Sequence, residues 1–504
     1  MPRPRLDKIP KWLLCLLAGA ALPLAFSPYD LAALAVLAPA VLVATWLDAS
    51  PGRAFACGYA FGLGMFGVGV NWLHISINLF GGVNFIGSLL ITWLFVAFVA
   101  LYPALTGYLS RRLFARLPPP LYLLVAVPAL WVLVEWLRGW LFTGFPWLDL
   151  GYSQIDTAAG GLAPLAGVYA VSAATVLSAS ALVAVLLLPA RDKAVAVLVA
   201  AAVWSGAWLA GRQHWTQDEG RRITVALVQG DVPQDIKWDP SLLRDSMRVY
   251  RDLTGPHLNA DLIVWPETSI PALYHDVKGY LDQIAQAARR HGTAVLAGIP
   301  YQDPASGRYY NSLVVLDGGP PRFYHKKHLV PFGEYIPFAH TLGGILEFLH
   351  IPMSDFSSGP DVHPLLTANG IRIGVSICYE DTFGEEVIQA LPAAEILVNV
   401  SNDAWFGDSA APHQHLQMAR MRSLETGRYM LRATNTGVTA LINEKGRVLK
   451  ATPEFRPTVL SGRAELFHGE TPYAAAGNYP IVTLGFVLVG VGVLLQRKKV
   501  IRES

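Results

Sequence analysis

Seven apolar runs crowd the first 210 residues, and nothing else in the sequence constrains the fold as strongly. They are Trp12–Phe26, Leu31–Leu47, Ala54–Leu73, Ile86–Leu109, Leu121–Leu137, Leu165–Leu188 and Ala194–Ala210, and an eighth, Tyr479–Leu495, follows much later. Crossing the hydrocarbon layer of a bilayer takes about 20 apolar residues, so the runs predict about eight transmembrane helices, the first two short. Lipid offers no partner to a backbone N–H or C=O, which leaves the helix as the form open to such segments. Composition agrees: 15% of residues are charged, against about 25% in ordinary soluble domains. The first run is followed by further apolar segments, so it reads as a span and not as a cleaved leader.

Basic residues set the orientation, because cytoplasmic loops retain Lys and Arg. Arg3, Arg5, Lys8 and Lys11 precede the first run. Alternate loops then carry Arg53, the set Arg111, Arg112 and Arg116, and the pair Arg191 and Lys193, while Arg497, Lys498 and Lys499 follow the last run. Both termini are therefore expected inside, with the polar region between about Gln213 and Pro472 outside. The expected organisation is a helical membrane domain over 1–212, an outer domain over 213–472, and a final helix with its tail over 473–504. A formal net charge of +2 gives no bulk field to attract nucleic acid.

Two features of the membrane part carry more than lipid contact. Glu135 and Arg138 in "VEWLRGW" stand one helical turn apart, either as a helix-end ion pair or as support for a cavity, since charge at membrane depth is costly. The loop "LFTGFPWLDLGYSQ" is aromatic, and its Phe145 and Trp147 suit interfacial anchoring or substrate contact.

Between Arg221 and Leu449 the pattern changes to strands alternating with helices. Strand-like runs are "ITVALVQGD", "ADLIVWPET", "TAVLAGIPY", "NSLVVLD", "IRIGVSICYE", "EILVNVSND" and "GVTALINEKGRVL", with helical stretches at Leu281–Arg290 and His413–Arg428. Near-continuous apolar strands imply sheets covered on both faces, hence an α/β core. Glu267, Cys378 and Asn402 with Asp403 fall at strand ends, where α/β folds assemble sites.

Cys15, Cys57 and Cys378 are the three cysteines. Their spacing makes neither a disulfide framework nor a zinc site. Strand alternation groups Cys378 with Gly374 and Ser376, on the face opposite Ile371, Ile373, Val375 and Ile377. A cysteine nucleophile needs a base or cation beside it. "WPETS" offers Glu267, and "YHKKHLVPFGEYIPF" offers Lys326, Lys327, His328 and Glu334. A carboxylate can serve as general base and an ammonium can hold an oxyanion. His413 and His415 in "PHQHLQMAR" stand two apart and share no helix face, so no metal site is expected of them.

The segments "WPETS", "YHKKHLVPFGEYIPF", "SICYED" and "NVSNDAWFGDSAAPHQHLQMARMRSLETGRYMLRATNTG" together resemble the nitrilase superfamily. Set between apolar spans, "LVPFGEYIPF" and "SNDAWFG" resemble the membrane-embedded apolipoprotein N-acyltransferases within it. The resemblance extends to "GFPWLDLGYSQ" in the membrane part. It implies a nitrilase-like αββα sandwich, with Glu267 as base, Lys326 as oxyanion stabiliser and Cys378 as nucleophile. Glu334, Tyr379, Glu380 and Trp238 match further positions important in that family.

The implied reaction takes an acyl chain from the sn-1 position of a phospholipid, with phosphatidylethanolamine as the expected donor. It passes through a thioester on Cys378 to the α-amine of an S-diacylglyceryl-cysteine at the N-terminus of an apolipoprotein, and needs no cofactor. The implied setting is the bacterial inner membrane, with the outer domain in the periplasm. Phe145, Trp147, Trp405 and Phe406 are candidates for a lateral lipid entrance. A membrane-tethered hydrolase with the same triad is the main rival, although seven preceding spans exceed what an anchor requires. A transporter would want ionisable pairs at mid-membrane, which the spans beyond Glu135 scarcely supply. A scaffold with an inactive triad is the third alternative, and intact Glu267, Lys326 and Cys378 argue against it.

Overall fold

The computed structural model describes residues 10–335, 355–360 and 365–503, with side chains as far as Arg497. Arg3, Arg5 and Lys8, the side chains of Lys498 and Lys499, and the end of the "GEYIPF" motif lie outside the described residues. The chain divides into two compact units. One comprises Met1–His74, Ile86–Gln213 and Ala476–Ser504, the other Ile75–Phe85 and His214–Ala475.

In the first unit, five described helices are long and apolar enough to cross a membrane: Phe85–Phe114, Pro119–Arg138, Ala158–Leu187, Ala190–Ala210 and Tyr479–Arg497. A sixth is possible if Pro51–Gly69 and Leu73–Leu79, bent by 55° at their break, make one span. The two earliest runs form shorter apolar helices, Lys11–Ala25 and Leu34–Trp46. Length alone thus supports five or six crossings where eight were expected. Glycines bring three of these helices into backbone contact. A Cβ on Gly19 would lie 2.0 Å from the Phe61 carbonyl, and one on Gly58 2.4 Å from that of Pro103. Small residues at such points are how helices associate where burial from water offers no drive.

The second unit is built on twelve described strands. They are β1 Thr216–Gln229, β2 Leu262–Val264, β3 Ala294–Gln302, β4 Tyr309–Leu316, β5 Arg322–His325, β6 Leu365–Ala368, β7 Ile371–Ile377, β8 Ile396–Ser401, β9 Met430–Thr434, β10 Ala440–Ile442, β11 Val448–Ala451 and β12 Thr458–Gly469. They form two six-stranded sheets, ordered β12-β1-β2-β3-β4-β5 and β11-β10-β9-β8-β7-β6. In each sheet a parallel trio, β1-β2-β3 or β7-β8-β9, is flanked by antiparallel strands.

Alternation sends every second side chain of the trios between the sheets. There Val225, Leu227, Val264 and Leu296 meet Ile373, Val375, Val398 and Leu431 in one buried cluster. The other face of the first sheet buries Ile263, Trp265 and Val295 against Tyr250, Leu281 and Ala288 of helices Leu243–Thr254 and Lys278–His291. Leu397 and Met430 of the second sheet pack on Ala419 of helix Ala411–Thr426. The layers therefore run helix, sheet, sheet, helix.

Three local readings change. "GVTALINEKGRVL" is two strands, β10 and β11, because Asn443 Oδ1 accepts from the Lys445 and Arg447 amides and closes a turn between them. The helix expected to reach Arg428 stops at Thr426, since Gly427 takes φ +62° and its N–H caps the Ser423 carbonyl. Strand alternation also fails at Cys378, as its backbone shows below.

Candidate active site

β2 ends at Val264 beneath Trp265, whose indole donates to Thr254 Oγ1 at 2.9 Å. Pro266 then turns the chain and presents Glu267, which is 7% exposed. The turn lies flat on β3, where a Cβ on Gly298 would come within 2.2 Å of the Pro266 carbonyl. Glu267 Oε1 accepts from Asn311 Nδ2 at 2.6 Å and Lys326 Nζ at 3.4 Å. Its Oε2 accepts from the Asn402 amide at 2.9 Å. Asn402 follows β8 in the other sheet, so both sheets hold the one carboxylate.

Lys326 leaves the end of β5 with its amide bonded to the Asn311 carbonyl at 2.8 Å. Its Nζ lies 2.9 Å from Glu334, and the side chain is 1% exposed. Burial alone pushes this ammonium down, but Glu334, Glu267 and Cys378 outweigh it and the net displacement is upward. Lys326 is therefore a permanent cation. Asn311 joins the group by donating also to Glu334 Oε1 at 3.0 Å.

Cys378 follows directly on β7 and opens a 3-10 turn over Cys378–Thr382. Its φ is +52°, a left-handed conformation that costs a non-glycine residue about 1–2 kcal/mol and persists only where surroundings impose it. This turn removes the thiol from the face of Gly374 and Ser376, and Cys378 packs instead against the inter-sheet cluster. The space beside Gly374 holds no room for substrate, because a Cβ there would meet Leu397, Ala390 and Ala394. Half-buried Cys378 has its thiol pushed well above the ordinary range, first by burial and then by the Glu267 charge, with Lys326 opposing. A thiol held this way needs a base to take its proton before the sulfur can act as a nucleophile.

Glu380 straps the cysteine turn to the lysine segment. Its Oε2 accepts from the Ile377 amide at 2.7 Å. Its Oε1 accepts from Tyr324 Oη at 2.8 Å and from the Lys327 and His328 amides at 2.7 and 3.2 Å. Burial pushes Glu380 up to about 7 against the pull of these donors.

Residues 224–466 match the family model for carbon-nitrogen hydrolase, and residues 18–181 match that for the apolipoprotein N-acyltransferase N-terminal domain. The chain is 46% identical over 487 residues to the apolipoprotein N-acyltransferase of Methylococcus capsulatus, with 96% of each covered. Identity to that of Nitrosomonas europaea is 44%, with 94% of each covered. Against the Pseudomonas syringae pv. tomato protein it is 41%, with 97% of this chain and 98% of the relative covered. The chain belongs to the apolipoprotein N-acyltransferase family.

The remaining residues singled out for this family member fall in several places. Tyr379, next to the cysteine, sets its ring edge-on to His328 and Phe383 at 5.6 and 5.0 Å. Trp238 is half-buried on the loop after β1. Beside it Lys237, which sequence reasoning passed over, is 2% exposed and points Nζ at the Glu267 carbonyl, 3.5 Å away. Burial depresses Lys237 to about 8, with Glu267 opposing. Half-buried Trp405 stands edge-on to Phe80 at 5.0 Å, and Phe406 completes the same short turn, Asp403–Phe406.

In the helical unit Phe145 stacks on Trp147 at 5.9 Å, and Trp147 is buried against Trp72 at 5.4 Å. Trp147 is thus core of that unit. Arg138 does not pair with Glu135 as the helical spacing suggests. It pairs with Asp149 at 2.5 Å and donates to the Trp147 carbonyl. Glu135 instead accepts from Trp131 Nε1 at 2.9 Å and the Leu150 amide at 3.0 Å. The loop folds back and supplies nearer partners than the next helical turn does.

The two histidines diverge. His413 Nε2 lies 3.1 Å from Glu454, whereas His415 is buried between Asp381 and Asp403. Among the described residues no group of three or more His, Cys, Asp or Glu is arranged to hold a metal.

Proposed function

We propose that this protein transfers an acyl chain from the sn-1 ester of a phospholipid, with phosphatidylethanolamine as donor, to the N-terminal S-diacylglyceryl-cysteine of apolipoproteins. The reading rests on the Glu267–Lys326–Glu334 contact beside Cys378, in a chain related along its length to apolipoprotein N-acyltransferases.

Glu267 takes the Cys378 proton as sulfur attacks the ester carbonyl. Lys326 and a backbone N–H near Cys378 hold the oxyanion. The C–O bond breaks, the proton on Glu267 passes to the departing lysophospholipid, and a thioester remains. The α-amine of the acceptor then attacks, Glu267 takes its proton, and the C–S bond breaks to regenerate the thiol. Amide replaces thioester, so no nucleotide is consumed.

Eight crossings belong to this reading: the five long helices, the bent pair and the two short helices. They leave both termini in the cytoplasm and the catalytic domain, 213–472, in the periplasm, between membrane segments 1–212 and 473–504. Burial of each donor methylene is worth about 0.8 kcal/mol, so substrates stay in the outer leaflet and react at its edge. Of the four aromatic residues expected at an entrance, Trp405 and Phe406, on the short turn after β8, border their path, whereas buried Trp147 does not.

Intact-mass spectrometry of the protein incubated with phosphatidylethanolamine tests the proposal. A hydroxylamine-sensitive acyl adduct on Cys378, absent from Cys378→Ser and discharged by a diacylglyceryl-cysteine peptide with N-acylation, is expected. Discharge by water alone would mean a hydrolase, and no adduct from any phospholipid would overturn the reading.

A further inference from the structure

Four ionised side chains lie behind the cysteine turn, all 3% exposed or less. His415 Nε2 is 2.8 Å from Asp381 Oδ1, and its Nδ1 is 3.0 Å from Asp403 Oδ1. The second oxygens of the same carboxylates accept from one guanidinium, Asp381 Oδ2 from Arg432 Nη1 at 3.2 Å and Asp403 Oδ2 from Nη2 at 3.0 Å. The result is a closed ring of alternating charge. Both imidazole nitrogens face acceptors, so both must carry protons and His415 is an imidazolium. Burial and Arg432 push His415 down, yet the two aspartates prevail and hold it at about 9. Two cations and two anions leave the ring neutral.

The ring reaches the nucleophile's backbone twice. His415 Nε2 also lies 3.3 Å from the Cys378 carbonyl. Arg432 Nη1 donates to Asn399 Oδ1 at 2.5 Å, and Asn399 Nδ2 donates to that same carbonyl at 3.4 Å. Asn399 further ties Ser376 Oγ at 3.0 Å. The four ring members come from the cysteine turn, the turn after β8, helix Ala411–Thr426 and β9. Each of these four elements therefore contributes a charge behind Cys378.

We propose that the Asp381–His415–Asp403–Arg432 ring, with Asn399, positions the nucleophile by holding the Cys378 carbonyl in its left-handed turn and keeping the charge behind the sulfur balanced. These are positioning residues, and the inference rests on Cys378 being the acylated group. Losing His415 leaves two carboxylates against one guanidinium. Asp403 already opposes ionisation of Cys378, so the uncancelled charge disfavours the sulfur anion of the transition state.

The test measures the rate of adduct formation on Cys378 at saturating phosphatidylethanolamine, its half-saturation, and the iodoacetamide alkylation rate of Cys378 by peptide mapping. His415→Gln is expected to slow acylation about 100-fold, as loss of a charged hydrogen bond in a dry site does, with half-saturation within about threefold. Alkylation slows as well. Adding Asp403→Asn restores neutrality, and both rates recover by about tenfold. Residues that merely fill space would give a double variant worse than the single one.

Wild-type rates in folded His415→Gln, or a double variant with no recovery, overturn the inference. If His415→Gln does not fold, Asn399→Ala decides, since it changes no charge. Its acylation falls by at least about fivefold if the inference holds, and a smaller fall overturns it. An unacylated wild-type Cys378 would instead defeat the proposed function, and this inference with it.

Discussion

Lys237→Met should make the protein more stable, by an amount the structure sets. The side chain is 2% exposed, and its hydrogen bond among the described residues is the 3.5 Å contact to the Glu267 carbonyl. Burial lowers Lys237 from an ordinary 10.5 to about 8. At about 1.4 kcal/mol per pH unit, holding the buried charge at pH 7 costs about 3 kcal/mol. Methionine has similar length and no charge, and forfeits one long hydrogen bond worth about 0.5–1 kcal/mol. The net gain is about 2 kcal/mol, or roughly 4–8 °C in Tm for a unit of this size.

Thermal unfolding in detergent, followed by tryptophan fluorescence from pH 6 to 10.5, measures it. Below about pH 8 the folded protein carries the buried ammonium, and the gap between variant and wild type is full. Between about 8 and 10.5 the folded state has released the proton while the unfolded chain keeps it, so wild type gains on the variant and the gap closes. His415 titrates in the same range but is common to both proteins and cancels. A variant less stable than wild type at pH 7, or a gap independent of pH, would refute the argument.

Glu334→Gln removes the nearer carboxylate from Lys326, 2.9 Å away, and should lower the acylation rate about 30- to 100-fold; rapid-quench mass spectrometry reads it, and an unchanged rate counts against Glu334 as a support of the lysine. Asp149→Asn leaves the buried Arg138 guanidinium uncompensated and should cost about 3–5 kcal/mol, whereas replacing both partners by apolar residues should cost much less; a thermal shift in detergent compares them. Trp405→Ala removes the edge-on contact with Phe80, worth about 0.5–1.5 kcal/mol. It should slow transfer from long-chain phospholipids while sparing a short water-soluble ester donor. Equal slowing of both would exclude a role in lipid entry.

What the sequence discloses follows burial pattern. β3, β4, β7, β8 and the second half of β1, Ile223–Gln229, are legible because both sheet faces are covered there and their apolar runs are nearly unbroken, whereas the charged, exposed start of β1 is not. β12 escapes notice because it alternates, with Arg463 and Glu465 among its apolar residues, and its identity as a strand comes from eleven paired positions with β1. β9 is hidden by Arg432, a fully buried arginine in mid-strand whose counter-charges stand far away in the chain. For the same reason His415 reads in the sequence only as half of a histidine pair with no shared helix face, although its partners lie at 381 and 403. The helical spacing of Glu135 and Arg138 misleads because loop residues 147–150 return to the helix end. Asn311 lies in a legible strand, but its task of joining Glu267 to Glu334 depends on a segment 23 residues later.

The pairing of β12 with β1 has a consequence for when the chemistry can begin. The carboxylate of Glu267 stands on the turn after β2, whose neighbour β1 is flanked on its far side by residues 458–469. Those residues emerge about 80 positions after Cys378. A chain still being made therefore includes Cys378 while the sheet that leads into Glu267 lacks an edge. Long-range pairing of this kind closes late, because its loop entropy must be met before its contacts form. An incomplete chain thus lacks one edge of the sheet that leads into Glu267, and that edge arrives together with the last strand.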